Sequence, residues 1–275
     1  MLSHGMCEYF QRYCGFAEFL CRNGIALVGN DHIGHGNSVS DRDMLGYFGE
    51  AGGYMYMVKD LHRMRAILDK KLPDIPKFLL GHSMGSFLLR TYLYTYPADL
   101  DAAIISGTGW EKPATIKAGL LLCRIEEKRL GETKTSPVLN SLIFGGYNKV
   151  FKPNRTPNDW ICSDEQVVDK YQADPLCGFD ATVGLTRDML TGISMNQRKE
   201  NLEKMDKALP VLFVSGMQDP VGAMGEGVLR CIDAFKRSGM KDVTIRIYPE
   251  GRHEMLNESN HEVVYADILR WLEAR

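Results

Sequence analysis

The sequence has little net charge and no long apolar run, and both absences exclude classes of protein. The 275-residue chain carries 33 lysines and arginines against 35 aspartates and glutamates, a formal net charge of −2. This balance gives no electrostatic reason to expect a nucleic-acid partner. No apolar run approaches the ~20 residues that span a bilayer. The first residues also lack the basic and apolar regions of a signal peptide, so we expect a cytoplasmic location.

The seven cysteines form no Cys-x-x-Cys pair, so neither a redox motif nor a zinc site is indicated. Cys7, Cys14 and Cys21 recur every seven residues. On one helix they would lie two turns, about 10 Å, apart. That separation is too long for a disulfide or a shared metal ion. We expect reduced, partly buried thiols and no metal.

The stretch around Ser83 predicts a reactive serine. The apolar run 78–80 leads into Gly81-His-Ser-Met-Gly85, and a helix-like run follows as far as Pro97. A strand that turns sharply into a helix exposes the serine at its apex, and glycines on either side let the strand and helix approach closely. The free N–H groups of the helix point to where negative charge develops in acyl transfer. The pattern alone is weak and also fits a glycine-rich turn, but its flanking segments favour the functional interpretation.

Strand-like and helix-like segments alternate along most of the chain, which predicts a mostly parallel sheet with helices on both faces. The expected strands are the short apolar runs 25–28, 78–80, 102–106, 210–214 and 243–247. The expected helices pass through 16–20, 58–68, 84–96, 228–235 and 263–272. The alternation stops between about 110 and 205. We therefore expect an α/β core of residues 1–109 and 206–275 with a mainly helical cap insertion at 110–205.

Two loops follow the last expected strands, at the edge where open α/β sheets bind their ligands. Asp219 lies in the first loop and His253 in the second. Ser83, Asp219 and His253 follow the chain order of the α/β-hydrolases. His253 would take the serine proton and later donate it to the leaving group, while Asp219 would hold the imidazole tautomer and stabilise the imidazolium.

Each of these residues also has a plainer interpretation. Asp219-Pro220 is a common turn pair, and a single loop histidine is usually solvated. His261 is a competing base, but it falls inside the last helical run. His35 and His82 belong to the glycine-containing loops, and neither has an acid placed like Asp219.

Five motifs together resemble the monoacylglycerol lipase and lysophospholipase (serine aminopeptidase-like) branch of the α/β-hydrolase superfamily. They are His4-Gly-Met-Cys-Glu8, Asp31-x-x-Gly-His-Gly-x-Ser38, Gly81-His-Ser-Met-Gly85, Asp219-Pro-Val-Gly222 and His253-Glu-Met-Leu-Asn-Glu258. The resemblance implies an oxyanion hole formed by the backbone N–H groups of Met6 and Met84. It also implies hydrolysis of a carboxylic ester, such as a monoacylglycerol or lysophospholipid, through an acyl-enzyme, with no metal or organic cofactor.

The chain departs from this family at its start. In the family a central strand and an antiparallel edge pair precede the His-Gly motif, whereas three residues precede His4. We expect the sheet to lack its N-terminal strands and the natural protein to be longer. A disabled, truncated relative is therefore an alternative, beside a general carboxylesterase or an aminopeptidase of the same fold. The expected partner is a small-molecule ester with an acyl chain. Transient, peripheral contact of the cap with a membrane surface stays open, and the oligomeric state is not predicted.

Overall fold

Five parallel strands form one sheet in the computed structural model, which describes residues 1–50 and 52–275. In spatial order they are β1 (Leu2–Ser3), β2 (Phe78–His82), β3 (Ala102–Ser106), β4 (Val211–Gly216) and β5 (Val243–Tyr248). Each pair of neighbours runs in parallel. Parallel neighbours need a crossover connection, and helices supply it here. The predicted α/β architecture is confirmed.

In the described part of the chain, one α-helix follows each of β2 and β4, two α-helices separate β1 from β2, and five lie between β3 and β4. The helices are α1 (Cys14–Arg22), α2 (Gly53–Lys71), α3 (Met84–Thr95), α4 (Pro113–Leu130), α5 (Pro137–Phe144), α6 (Glu165–Ala173), α7 (Val183–Asn196), α8 (Lys199–Leu202), α9 (Glu226–Arg237) and α10 (His261–Glu273). Prolines begin α4 and α5 because a first-turn residue needs no N–H for the helix. The segment from α4 to α8 lies within the described residues and contains helices and no regular strand.

Alternate strand residues bury against helices on opposite faces of the sheet, because successive side chains of a strand point in opposite directions. Leu79 and Phe213 pack on one face in a cluster with residues of α2, α3 and α9. Leu80 and Leu212 pack on the other face in a cluster with residues of α1 and α10. The predicted helical layers on both faces are therefore present.

A two-residue strand, β1, lies at one edge of the sheet, where we expected N-terminal strands to be missing. Leu2 and Ser3 pair with β2 on one side. On the other side Leu2 forms a bridge to Gly29, and its amide donates to the Val28 carbonyl at 2.8 Å. A short strand therefore occupies the position before His4, and the expected absence of the N-terminal strands is not confirmed.

The run 25–28 is not the buried strand that its apolar residues predicted. It contains no regular strand, and Gly29 beside it forms only an isolated bridge. Ile25, Leu27 and Val28 are half-buried. The run lies beside β1, which offers only two residues for pairing, so no ladder of hydrogen bonds can extend along it.

The three N-terminal cysteines do not share one helix. Cys7 lies in a turn before α1 with a φ of 58°, whereas Cys14 and Cys21 are on α1. All seven cysteines are unpaired, as expected. None of the helices in the described ranges combines the length and apolar character that crossing a bilayer requires.

The tight crossing of α3 over β1 gives a test of the fold. A Cβ atom on Gly85 would overlap the carbonyl oxygen of Ser3. We expect Gly85→Ala to lower the free energy of unfolding by about 3 kcal/mol, because the overlapping group is backbone and cannot rotate away. Gly146→Ala is the matched control, since a Cβ there meets nothing within 4 Å. Urea unfolding followed by circular dichroism measures both, and equal stability of the two variants would contradict this packing.

Candidate active site

Ser83 lies at the sharp turn between β2 and α3. Its φ of 53° and ψ of −118° fall in a region that residues with a Cβ rarely adopt. The backbone is held on both sides of the turn. The Ser83 amide donates to the Ser106 carbonyl at 2.9 Å, and the Ser83 carbonyl accepts from the Ser86 amide at 2.9 Å. The strand, strained turn and helix agree with the predicted arrangement around this serine.

Asp219 follows β4 and His253 follows β5, and the structure brings their side chains together. Both carboxylate oxygens of Asp219 lie 3.0 Å from Nδ1 of His253. Asp219 is completely buried and His253 is nearly so. Burial acts to lower the pKa of His253, but the charge and hydrogen bonds of Asp219 outweigh it and raise this pKa above 6.5. The pair therefore favours a protonated imidazole more than a free histidine would.

Ser83 and His253 line one cavity of about 830 Å³, a size typical of small-molecule sites. Met6 and Met84 line it as well, so four of the five predicted site residues meet there, with Asp219 behind His253. In the described part of the chain the Ser83 hydroxyl makes no hydrogen bond to His253. Such contacts are often long without substrate and tighten when it binds.

Most of the cavity wall is apolar and comes from the segment between β3 and β4. Side chains of α4, α5 and α7 contribute to it, together with Trp160 and Ile161 from the loop before α6. The apolar members from these parts are Ile116, Leu139, Leu142, Ile143, Phe144, Trp160, Ile161, Leu185, Met189, Leu190 and Ile193.

Two aromatic rings that we had not assigned to the site lie against His253. The ring centroids of His82 and Trp160 are 4.8 Å and 5.1 Å from that of His253. His82 is the last residue of β2 rather than a loop residue. Burial holds its pKa well below 6.5, so a neutral ring packs beside His253. The sequence could have indicated that His82 lies near the site, because it directly precedes Ser83. Nothing in the sequence around Trp160 indicated that it would contact His253.

The other histidines considered from the sequence lie elsewhere. His35 belongs to a buried cluster with His4, their ring centroids 5.4 Å apart. His261 begins α10, and its Nδ1 is 2.7 Å from the Glu258 carbonyl oxygen. Among the described residues that line the cavity, neither is present.

Comparison with known proteins places this geometry in context. A family model described as serine aminopeptidase, S33, matches residues 1–260. The chain is 28% identical to a monoacylglycerol lipase of Mycolicibacterium smegmatis over 99% of this chain and 86% of that protein. It is 25% identical to a human monoglyceride lipase over 100% of this chain and 82% of that protein. A solved carboxyl esterase of Bacillus coagulans, in complex with glycerol, matches with a TM-score of 0.91 at 30% identity, over 99% of this chain and 88% of that one.

The Asp219–His253 contact predicts a change in titration. We expect Asp219→Asn to lower the pKa of His253, because burial would then act without the opposing carboxylate charge. NMR titration of the imidazole signals measures this pKa in both proteins. Asp233→Asn is the control, since Asp233 is half-exposed on α9 and pairs with Arg237. A pKa that is unchanged in Asp219→Asn would contradict the assigned cause.

The raised pKa of His253 also sets how its contribution to the free energy of unfolding changes with pH. Because the folded-state pKa of His253 lies above its ordinary value of 6.5, the contribution is fully present below pH 6.5. It is lost as the pH rises through the folded-state value.

Proposed function

This chain belongs to the serine aminopeptidase S33 family of α/β-hydrolases, and from that membership we propose a serine hydrolase that cleaves carboxylic esters through an acyl-enzyme. Its relatives place it among hydrolases of the lipase and esterase type. The observation that carries the catalytic assignment is the buried Asp219–His253 pair, which ends at the cavity that Ser83 lines.

In the proposed reaction, Nε2 of His253 takes the proton of Ser83 as the hydroxyl oxygen attacks the ester carbonyl carbon. The electron pair of the carbonyl moves to its oxygen, and the backbone N–H groups of Met6 and Met84 stabilise that oxyanion. The intermediate collapses by breaking the bond to the alcohol, which leaves with the proton from His253. Water then repeats the same steps on the acyl-enzyme, which releases the acid and restores Ser83.

Asp219 acts in this scheme through His253. Its carboxylate binds Nδ1, which keeps the proton on that nitrogen and leaves Nε2 free to accept one. The raised pKa of His253 also suits a group that must hold the serine proton in the transition state.

We infer that the ester is a monoacylglycerol or a lysophospholipid. The apolar cavity wall suits an acyl chain, and relatives from Mycolicibacterium smegmatis and human carry the names monoacylglycerol lipase and monoglyceride lipase. A general carboxylesterase is the second candidate, supported by the likeness to the Bacillus coagulans enzyme. An aminopeptidase would need a carboxylate for the substrate ammonium. Glu8 and Glu254 of the cavity lining already bind Arg12, whereas Glu111 and Asp180 of the same lining could supply one, so the substrate assay below must separate this candidate.

We expect Ser83→Ala to lose about 10⁴-fold or more of the rate on short p-nitrophenyl esters, because no other group would replace the nucleophile. Labelling by a fluorophosphonate probe would vanish with it. Ser40→Ala is the control, since Ser40 is exposed and outside the cavity lining. Undiminished labelling of Ser83→Ala would contradict the assignment.

The same assay compares substrate classes on the wild-type protein. The proposal predicts a higher kcat/KM for monoacylglycerol than for p-nitrophenyl acetate or an aminoacyl amide. A preference for the amide would favour the aminopeptidase, and a preference for the acetate would favour the general esterase.

We further infer that residues 110–205 form a cap that touches a membrane surface transiently. Large apolar side chains on the outside of α4 and α5 are more than half exposed: Leu121 59%, Ile125 53% and Val138 51%. Lys117 lies four residues before Leu121 on the same face of α4 and is also exposed. Apolar side chains flanked by basic ones are typical of surfaces that bind anionic lipid.

For this surface we expect the double variant Leu121→Glu, Ile125→Glu to bind phosphatidylcholine–phosphatidylserine vesicles at least about tenfold more weakly. Hydrolysis of soluble p-nitrophenyl acetate would be unchanged, because neither side chain lines the cavity. Leu229→Glu, Val263→Glu is the matched control, with side chains 50% and 54% exposed on α9 and α10. Vesicle sedimentation measures binding, and an equal effect of the two double variants would contradict a cap-specific contact.

A further inference from the structure

A buried charged network joins two loops of the cavity wall through Arg12. Nη1 of Arg12 donates to Oε2 of Glu8 and to Oε1 of Glu254, both at 2.6 Å, and Nη2 donates to Oε2 of Glu254 at 2.7 Å. The side chains of Arg12, Glu8 and Glu254 are 11%, 3% and 5% exposed. The planar guanidinium can bind one carboxylate with two nitrogens and reach the second at the same time, which an ammonium group cannot do.

On one side the network fixes the loop after β1. Oε1 of Glu8 accepts from the backbone amide of Gly5 and from the Tyr13 hydroxyl. Gly5 precedes Met6, the proposed oxyanion donor. This loop packs directly on the nucleophile, since a Cβ on Gly5 would lie 3.1 Å from the Cβ of Ser83. The orientation of the Glu8 carboxylate therefore sets the direction of the peptide groups beside Ser83.

On the other side the network fixes the loop after β5. Glu254 directly follows His253, and its backbone amide donates to the Ile161 carbonyl at 2.7 Å. Its Oε2 also accepts from Asn257 Nδ2 at 3.0 Å. The loop that carries His253 is thus held by Arg12 through one side chain and by the segment before α6 through the backbone.

Charge is shared unevenly in this network. Burial raises the pKa of Glu8 despite the opposing charge of Arg12. Burial acts the same way on Glu254, but Arg12 outweighs it and lowers that pKa. Arg12 binds Glu254 with two nitrogens and Glu8 with one, so the bidentate geometry makes Glu254 the carboxylate that Arg12 holds more firmly.

We propose that Arg12 is a positioning residue that fixes the position of the Gly5–Met6 loop relative to His253. The oxyanion donors and the proton acceptor can then act on the same ester group. The inference rests on the proposed function. Within the described residues Arg12 is not part of the cavity lining, whereas both of its carboxylate partners are. It therefore acts through Glu8 and Glu254 rather than on the substrate.

The test is Arg12→Lys, which keeps the positive charge but loses the planar guanidinium that binds Glu254 with two nitrogens. A misplacement of about 1 Å among catalytic groups can cost on the order of 10²-fold in rate, and we expect kcat on p-nitrophenyl butyrate to fall about 10- to 100-fold. KM should stay within about twofold, because the lining is unchanged. Affinity for a boronic acid that mimics the tetrahedral intermediate should fall by the same factor as kcat.

Arg187→Lys is the matched control. Arg187 is 15% exposed and bonds to Glu127, Glu132 and Asp188, a comparable set of carboxylates that touches neither loop. Glu254→Gln is the second variant, because it keeps the shape of the side chain and removes its charge. We expect its kcat to fall at least about tenfold, which keeps the inference testable if Arg12→Lys fails to fold.

The outcomes separate this inference from the function on which it rests. An unchanged kcat in folded Arg12→Lys, or in Glu254→Gln, would overturn the positioning role while Ser83→Ala remained inactive. An equal loss in Arg187→Lys would overturn it too, since the effect would then be general destabilisation. Full activity of Ser83→Ala would instead overturn the proposed function, whatever the Arg12 variants do.

Discussion

The close approach of α3 to the carboxyl ends of β1 and β2 is the contact on which the rest of the site depends. A side chain on Gly81 would overlap the Gly85 carbonyl, and one on Gly85 would overlap the Ser3 carbonyl. With only hydrogen at both positions, the helix begins directly above the end of the strands. Ser83 adopts its strained backbone at that point because β2 and α3 are buried on either side of it. The loop after β1 and the first turn of α3 therefore face the same space.

The order of the strands in the sheet sets how Asp219 and His253 reach Ser83. Asp219 and His253 follow β4 and β5, while Ser83 follows β2, so the imidazole must extend over the end of β3. Gly107 lies there with a φ of 59°, and a Cβ on it would be 3.0 Å from Cε1 of His253 and 2.9 Å from Cε1 of His82. The absence of a side chain at the end of β3 leaves room for both rings. Gly107 thus allows the imidazole of His253 to extend over the end of β3 toward Ser83.

The sequence predicted the parts that depend on local patterns. The strands β2 to β4 contain short apolar runs and β5 alternates apolar and polar residues. The motif around Ser83 needs only one strand and one helix to form. The run 25–28 was misassigned because its apolar residues indicate burial, whereas its pairing depends on a neighbour, β1, of two residues. The seven-residue spacing of the cysteines does not follow one helix, because Cys7 lies in a turn with a positive φ. The roles of Met6 and Met84 and the division at 110–205 stay predictions.

The Arg12 network could not have been found in the sequence, because Arg12 and Glu254 are 242 positions apart. The loop packing that joins them exists only after β1 and β5 have taken their places in one sheet. Glu8 and Glu254 both belong to motifs that we quoted for the resemblance. A sequence motif does not indicate, however, which side chain each of its residues contacts in the folded protein. Trp160 shows the same limit, since its contact with His253 depends on how an irregular loop packs over the sheet.

A crystal structure of the protein after reaction with a p-nitrophenyl alkylphosphonate would test the central claim most directly. The account predicts phosphorus bonded to Oγ of Ser83, with the phosphonyl oxygen about 3 Å from the backbone nitrogens of Met6 and Met84. It also predicts Nε2 of His253 turned toward the same oxygen of Ser83. An adduct on any other side chain, or a phosphonyl oxygen directed away from both nitrogens, would contradict it.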